Sequence, residues 1–457
     1  MKNIIIVGGG IAGLSFAYEA LRRKYKVIIV EATSEIGGLA KSIYHHGCFL
    51  DVGVHIMYLK DPEVYDKVKE VVPSHQWVKV KRNGKLYLKG RYIDWPLKLS
   101  ALFQFPPSLA FKILFDQLNK KKYALGDPMS YQDELLKLYG PSLYYSFFDP
   151  LTSKFLRTDP KYIHSDWAFA SLRAATKIED KTFSKSHRYH NTNIDSDSRN
   201  DFNIFKFLVK SLSENRENEP FYYFKDGIGV LVKEYEKKIR GMGGVILKNS
   251  LVDKFILKNK IIEKCVIGKK TYPSDKVVWT GNVYALSKML NLVKPDLRYL
   301  NSKYIYFFLK NCQKDYQVCY YADPAISFIR TSIFSNHSRT IIRNPKIRDV
   351  ICLEYSFIKR SDLFMDSAKL KKRAIADLIK SGVIEKKSDI ESVFELNVPF
   401  SYPIMTIDYR DALQKFHKEL DPYLNLITFG RQGTFSYNNS DIIIKETLNH
   451  PMFKSKL

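Results

Sequence analysis

IIIVGGGIAGLSFAYEALRRKYKVIIVEATSEIGGLAKS, residues 4–42, begins with four consecutive apolar residues, Ile4–Val7, which read as a strand buried on both faces. A helical pattern follows from the glycines to Lys24, and a second apolar run covers Val27–Val30. Strand, turn, helix, strand is a βαβ unit. Gly8, Gly10 and Gly13 stand at its first turn in the spacing G-x-G-x-x-G. The first permits the tight turn, the second lets a pyrophosphate approach the backbone, and the third lets the helix pack on the strand. The helix N-terminus turns oriented N–H groups toward those phosphates. Glu31 closes the second strand 18 residues beyond Gly13, where a carboxylate accepts ribose hydroxyls and disfavours a 2′-phosphate. A glycine-rich turn that binds nothing is the bland alternative, and the full strand, helix and acidic context weighs against it.

Outward from this unit, Val71–Asp94 alternates apolar and polar residues, and Arg82-Asn83-Gly84 predicts a hairpin turn between two strands at the edge of a second sheet. Pro96–Ala175 carries a helical pattern. Within it, Ala101–Phe115 (ALFQFPPSLAFKILF) is broken by Pro106 and Pro107, too short to span a bilayer, and reads as a buried helix pair, with contact to a membrane surface as the alternative. Asp180–Phe202 is polar and predicts a mobile loop, and Phe205–Leu212 resumes a helix. Phe221–Ile246 gives strand, glycine turn, helix and strand; Tyr299–Phe400 is mostly strand, with one helix near Ser367–Ser381; a last strand, turn and helix follow Asp421.

The 457 residues predict two or three domains, and 45% hydrophobic content supports a packed core. Lys and Arg exceed Asp and Glu by 73 − 48, a formal +25, which favours anionic partners or a solvated basic surface. Nucleic acid is not expected, because the charges are spread along the chain without a helix-turn-helix, zinc-finger or RNA-binding signature. Five cysteines, with no CxxC pair, predict neither a disulfide framework nor a metal site and suit a reducing cytoplasm. No export signal is expected ahead of the first strand.

The continuation distinguishes between dinucleotides. Gly37 and Gly38, six residues past Glu31 and followed by Leu39, resemble the extended fingerprint of the large FAD-dependent family that includes amine oxidases, phytoene desaturases, protoporphyrinogen oxidase and UDP-galactopyranose mutase. FKDGIGVLVKEYEKKI, VVWTGN and NLITFGRQGTFSYNNSDIIIKETL resemble later segments of that family in the same order. The resemblance implies an α/β fold: a Rossmann-like FAD-binding domain (1–80, 221–295 and 421–457), a helical subdomain (96–220, with the loop near 180–202) and a mainly antiparallel substrate sheet (81–95 and 296–420).

Within the family the chain is most similar to the mutase branch. Gly53-Val54-His55-Ile56-Met57-Tyr58 resembles the segment beside the flavin, and Gly430-Arg431 through Tyr437 and Asp441 resembles the C-terminal segment that closes over it. The resemblance implies that His55 tunes the flavin, that Arg330 and Arg173 clamp a substrate pyrophosphate, and that Tyr355 and Tyr402 reach its phosphates. It implies pyranose/furanose interconversion of a nucleotide sugar in glycan biosynthesis, with N5 of FAD, reduced by NAD(P)H or another donor, as the nucleophile, so that protein side chains supply geometry and charge. Leu151 and Leu156 stand where bacterial mutases place a Tyr and a Trp at the uracil, so another nucleotide sugar is open. The alternative is an oxidoreductase of the protoporphyrinogen oxidase, amine oxidase or desaturase type; a non-enzymatic flavin-holding protein is a third reading.

Overall fold

The computed structural model describes residues 2–97, 99–119, 129–172, 221–364 and 366–454. Around the βαβ unit a parallel sheet runs in the order Leu426–Thr428, Lys276–Trp279, Asn3–Val7, Lys26–Val30 and Val245–Leu247. Asn3–Val7 is central: Ile5 joins one core cluster while Ile4 and Ile6 join another, and all three are fully buried. Burial on both faces is why this strand is written as an unbroken apolar run. The helix Ile11–Arg22 is buried from Ile11 to Leu21, between the helices Gly229–Gly241 and Ser440–Leu448. The last strand of this sheet thus comes from the chain's C-terminal region, which brings residues 430–441 beside the first turn.

A second sheet has seven strands in the order Ile390–Ile404, Arg298–Leu309, Asp349–Phe357, Arg330–Ile333, Val318–Tyr321, Gly84–Leu88 and Arg91–Trp95. All neighbours are antiparallel except Val318–Tyr321 with Gly84–Leu88. Helices Pro107–Leu118, Tyr131–Tyr139, Asp149–Leu156 and Asp166–Leu172 pack beside it. The fold is therefore α/β, a Rossmann-like unit joined to helices and a mainly antiparallel sheet.

Three expectations are corrected or left outside. Arg82-Asn83-Gly84 is no hairpin turn: Trp77–Val80 pairs with Phe221–Phe224, Gly84–Leu88 pairs with Arg91–Trp95, and that hairpin turns at Lys89-Gly90. Asn83 is instead anchored by its backbone N–H to Gln317 Oε1 at 3.0 Å, which fastens a crossover between sheets. The second half of Ala101–Phe115 is only half buried; Leu109, Ile113 and Asp116 face the protein while Phe111, Phe115 and Leu118 are exposed. The proposed loop Asp180–Phe202 and helix Phe205–Leu212 lie outside the described residues. All five cysteines are free, and among the described residues no helix is long and apolar enough to cross a membrane.

Candidate functional site

One cavity of about 820 Å³ runs from the first βαβ turn to the face of the seven-stranded sheet. Its size lies within the roughly 300–1,000 Å³ of ordinary small-molecule sites. At the Rossmann end it is lined by Gly8, Gly10, Glu31, Gly37, Gly38 and Leu39. The three motif glycines have separable tasks. A Cβ on Gly13 would stand 2.0 Å from the Gly8 carbonyl oxygen, so this position lets the helix touch the strand turn. A Cβ on Gly10 would meet only Gly38 Cα, at 3.9 Å, and otherwise project into open space. Gly10 caps the helix without a side-chain bond, so the first helical N–H groups remain for a ligand. The Gly9 N–H donates to Glu31 Oε2 at 2.8 Å, and Thr33 donates to Oε1 through its backbone N–H at 2.9 Å and its hydroxyl at 2.7 Å. Glu31 is thereby held at the cavity wall as a preset acceptor.

Gly430 does not line the cavity; its backbone is seated on the first helix, where a Cβ would come 2.4 Å from Ala12 Cβ. This contact presents Arg431, Tyr437 and Asp441 to the cavity. Arg431 donates from Nε and Nη2 to the Asn438 carbonyl at 3.1 and 2.8 Å, and its guanidinium lies 4.8 Å from the Tyr437 ring centre. A backbone carbonyl, rather than a carboxylate, holds this cation, so its charge is expressed in the cavity.

At the other end the sheet supplies one row of cross-strand neighbours. Tyr304 pairs with Glu354, Glu354 with Arg330, and Arg330 with Tyr320, and all four side chains line the cavity. Arg330 Nε donates to Glu354 Oε2 at 2.8 Å and Nη2 bonds the same oxygen, while Nη2 also donates to the Tyr402 hydroxyl at 3.3 Å. Glu354 Oε1 accepts from Tyr402 at 3.1 Å and Tyr304 at 3.3 Å. Burial works against the charge on Arg330, but Glu354, then Tyr402 and Tyr320, hold the guanidinium protonated above its ordinary range. Arg330, expected as a pyrophosphate clamp, thus stands at the cavity wall oriented by a buried carboxylate that the sequence reading did not single out.

His55 enters from the loop after Asp51, at the cavity wall. Burial, then the guanidinium of Arg431, pushes its imidazole down to about 3, so it is neutral at pH 7. Its Nδ1 is buried with no hydrogen-bond partner. An orphaned ring nitrogen at the wall, an open Gly10 and an uncapped helix N-terminus together fit a dinucleotide cofactor that extends along the cavity.

Tyr402 lines the cavity, with its ring nearly parallel to that of Tyr437, 28° between planes and 5.6 Å between centres. Tyr355 does not. It is on the opposite face of its strand, in the core behind the sheet, with its hydroxyl 3.2 Å from Ser327 Oγ. Strand alternation makes Glu354, not Tyr355, the cavity residue. Arg173 lies outside the described residues. Leu151 lines the cavity, whereas Leu156 is fully buried in the core.

Sequence reasoning also missed the aromatic wall of Phe147, Phe148, Phe155, Trp167 and Tyr320. Phe155 is placed by its neighbours: Lys154 Nζ donates to the carbonyls of Tyr321, Asp323 and Ile326, each at 2.8 Å, and Arg157 Nε to that of Ser356 at 2.9 Å. Burial lowers the Lys154 ammonium to about 8. Trp167 follows Asp166, which accepts from Tyr409 at 2.5 Å and Arg410 at 2.6 and 2.8 Å. The only local hint of these anchors was a run of polar residues among aromatic ones.

The chain is similar to known proteins in part of its sequence and in its fold. Residues 6–72 match the NAD(P)-binding Rossmann-like domain family. The chain is 25% identical over 172 residues to a dTDP-fucopyranose mutase of Escherichia coli, covering 36% of this chain and 44% of that protein. It is 24% identical over 186 residues to protoporphyrinogen oxidase 2 of Arabidopsis thaliana, covering 37% of this chain and 36% of that protein. The matches thus span less than half of these relatives. A solved structure of reduced UDP-galactopyranose mutase superposes with a TM-score of 0.77 at 16% identity, covering 98% of this chain and 92% of that one, a likeness of fold.

Proposed function

We propose that this chain, a Rossmann-like dinucleotide-binding protein with the fold of the mutases and oxidases just named, is a flavin-dependent nucleotide-sugar mutase that interconverts pyranose and furanose forms. The observation that carries the reading is the continuity of the cavity, in which the dinucleotide cradle opens directly onto Arg330, Tyr402 and Arg431. Bound FAD, in its reduced form, supplies the nucleophile for the anomeric carbon. The chain's own residues do the rest. Glu31 accepts the adenosine ribose hydroxyls, and Gly10 with the helix N-terminus receives the cofactor pyrophosphate. His55, kept neutral by burial and with its Nδ1 unpartnered at the cavity wall, would be free to accept a hydrogen bond from the bound flavin or donate one to it.

Arg330 serves the substrate. Glu354 engages its Nε and Nη2, which leaves the Nη1 edge for a phosphate, while the Tyr402 hydroxyl, bonded to both Arg330 and Glu354, keeps the pair in register. Charge-assisted bonds from this edge and from Arg431 stabilise the departing nucleoside diphosphate. The aromatic wall of Phe155, Trp167 and Tyr437 excludes water while the sugar is open.

A second reading has its own support. Glu354 already compensates Arg330, and the wall is rich in aromatic rings, which suits oxidation of an apolar or amine substrate by flavin. The two separate in one experiment, comparing protein reduced with dithionite and oxidised protein, each incubated with nucleoside diphosphate hexoses. Conversion to the furanose by the reduced form alone supports the mutase. Equal conversion by both forms, or none accompanied by oxygen consumption with amines or polyenes, removes it.

A further inference from the structure

The helix Pro107–Leu118 carries two apolar stripes, and only one has a partner. Leu109, Ile113 and Asp116 face the protein, buried, and the Asp116 carboxylate accepts the Ser142 N–H at 2.7 Å, which sets the helix rotation. On the outer side Phe111, Leu114, Phe115 and Leu118 recur at the i, i+3, i+4, i+7 spacing of one helix face. Phe111 is 71% exposed and Leu118 86%, and Phe103, just before the helix, is 89% exposed. A contiguous stripe of large apolar side chains that a rooted helix turns outward marks a contact surface rather than scattered surface residues.

We propose that this stripe is a docking surface for an anionic lipid bilayer, with the helix lying in the plane of the interface. Charge selects this occupant. The chain carries a formal +25, and Lys112 sits on the helix itself. An anionic leaflet attracts such a charge, whereas a second copy, equally basic, is repelled by it. Aromatic and leucine side chains beside lysines are the composition of helices that lie at membrane interfaces. The helix is too short to span, so the contact is peripheral and reversible. The inference does not depend on the reaction catalysed.

Co-sedimentation of the full-length protein with phosphatidylcholine vesicles, with and without phosphatidylglycerol, tests it. Binding is expected only when phosphatidylglycerol is present and is expected to weaken as salt rises. The double variant Phe111→Ser, Leu118→Ser should lower the partition coefficient at least about tenfold. Phe103→Ser alone should lower it less, and both variants should keep the wild-type thermal transition because the altered side chains are exposed. Absence of binding to phosphatidylglycerol vesicles, equal binding by the double variant, or a wild-type dimer in size-exclusion chromatography that the double variant dissociates would overturn the proposal.

Discussion

Replacing Glu354 by Gln isolates the group on which the substrate end of the cavity turns. Gln keeps the volume and an Oε1 that can still accept from Tyr304 and Tyr402, but puts an amide NH₂ where Oε2 faces Arg330 Nε at 2.8 Å. An acceptor shared by two guanidinium nitrogens becomes a donor opposed to them, and the buried cation loses its counter-charge. At an effective dielectric of about 20, charges about 4 Å apart attract by about 4 kcal/mol. Removing one partner of a buried pair costs about 3–5 kcal/mol. Against a stability of roughly 5–15 kcal/mol, the variant should fold with a thinner margin. Urea unfolding at neutral pH should show that loss, while the uncompensated Arg330 binds uridine diphosphate more tightly than wild type does. The double variant Arg330→Met, Glu354→Leu should be more stable than the Gln variant, because it leaves no buried charge. A loss below about 1 kcal/mol in the Gln variant, or losses in the double variant equal to the sum of the singles, would refute the reasoning.

Two further substitutions use the same side chain at neighbouring glycines. Gly10→Ala places its methyl in open space and should change stability by under about 1 kcal/mol while abolishing flavin uptake, whereas Gly13→Ala, whose methyl meets the Gly8 carbonyl at 2.0 Å, should destabilise the flavin-free protein by about 1–3 kcal/mol or more; thermal unfolding and flavin fluorescence titration read both. Burial lowers the His337 imidazole to about 4. The unfolded chain takes up a proton below about 6.5 while the fold does not until about 4, so this stability is present above pH 6.5 and is lost as pH falls toward 4. The contribution is on the order of 3 kcal/mol. Unfolding free energies of wild type and His337→Gln, measured across that range, should differ less at the acid end.

The cradle was legible because its parts are close in sequence. Gly8, Gly10, Gly13 and Glu31 belong to one βαβ unit, and their spacing states the geometry directly. The substrate chamber is assembled by pairing between distant strands, 24 residues apart for Arg330 and Glu354 and 50 for Tyr304 and Glu354. Whether Glu354 or Tyr355 faces the cavity depends on register parity, which a single strand does not reveal when both of its faces are buried. The hairpin turn was misplaced for a related reason: Asn83-Gly84 carries the local turn signal, but pairing of Trp77–Val80 with the distant Phe221–Phe224 claims the preceding strand. The outward stripe of the helix Pro107–Leu118 has the same composition as a buried one, so burial could be seen only in three dimensions.

The central claim is that one cavity holds a flavin and an anionic sugar substrate in contact. Titrating a nucleoside diphosphate hexose into the flavin-loaded protein, and reading the flavin's visible absorbance, tests it most directly. The account predicts a saturable spectral change, weakened about tenfold or more in Arg330→Lys, which keeps the charge beside Glu354 but loses the guanidinium fork. A protein that takes up no flavin, a flavin spectrum indifferent to the sugar nucleotide, or a Lys variant that titrates like wild type would contradict it.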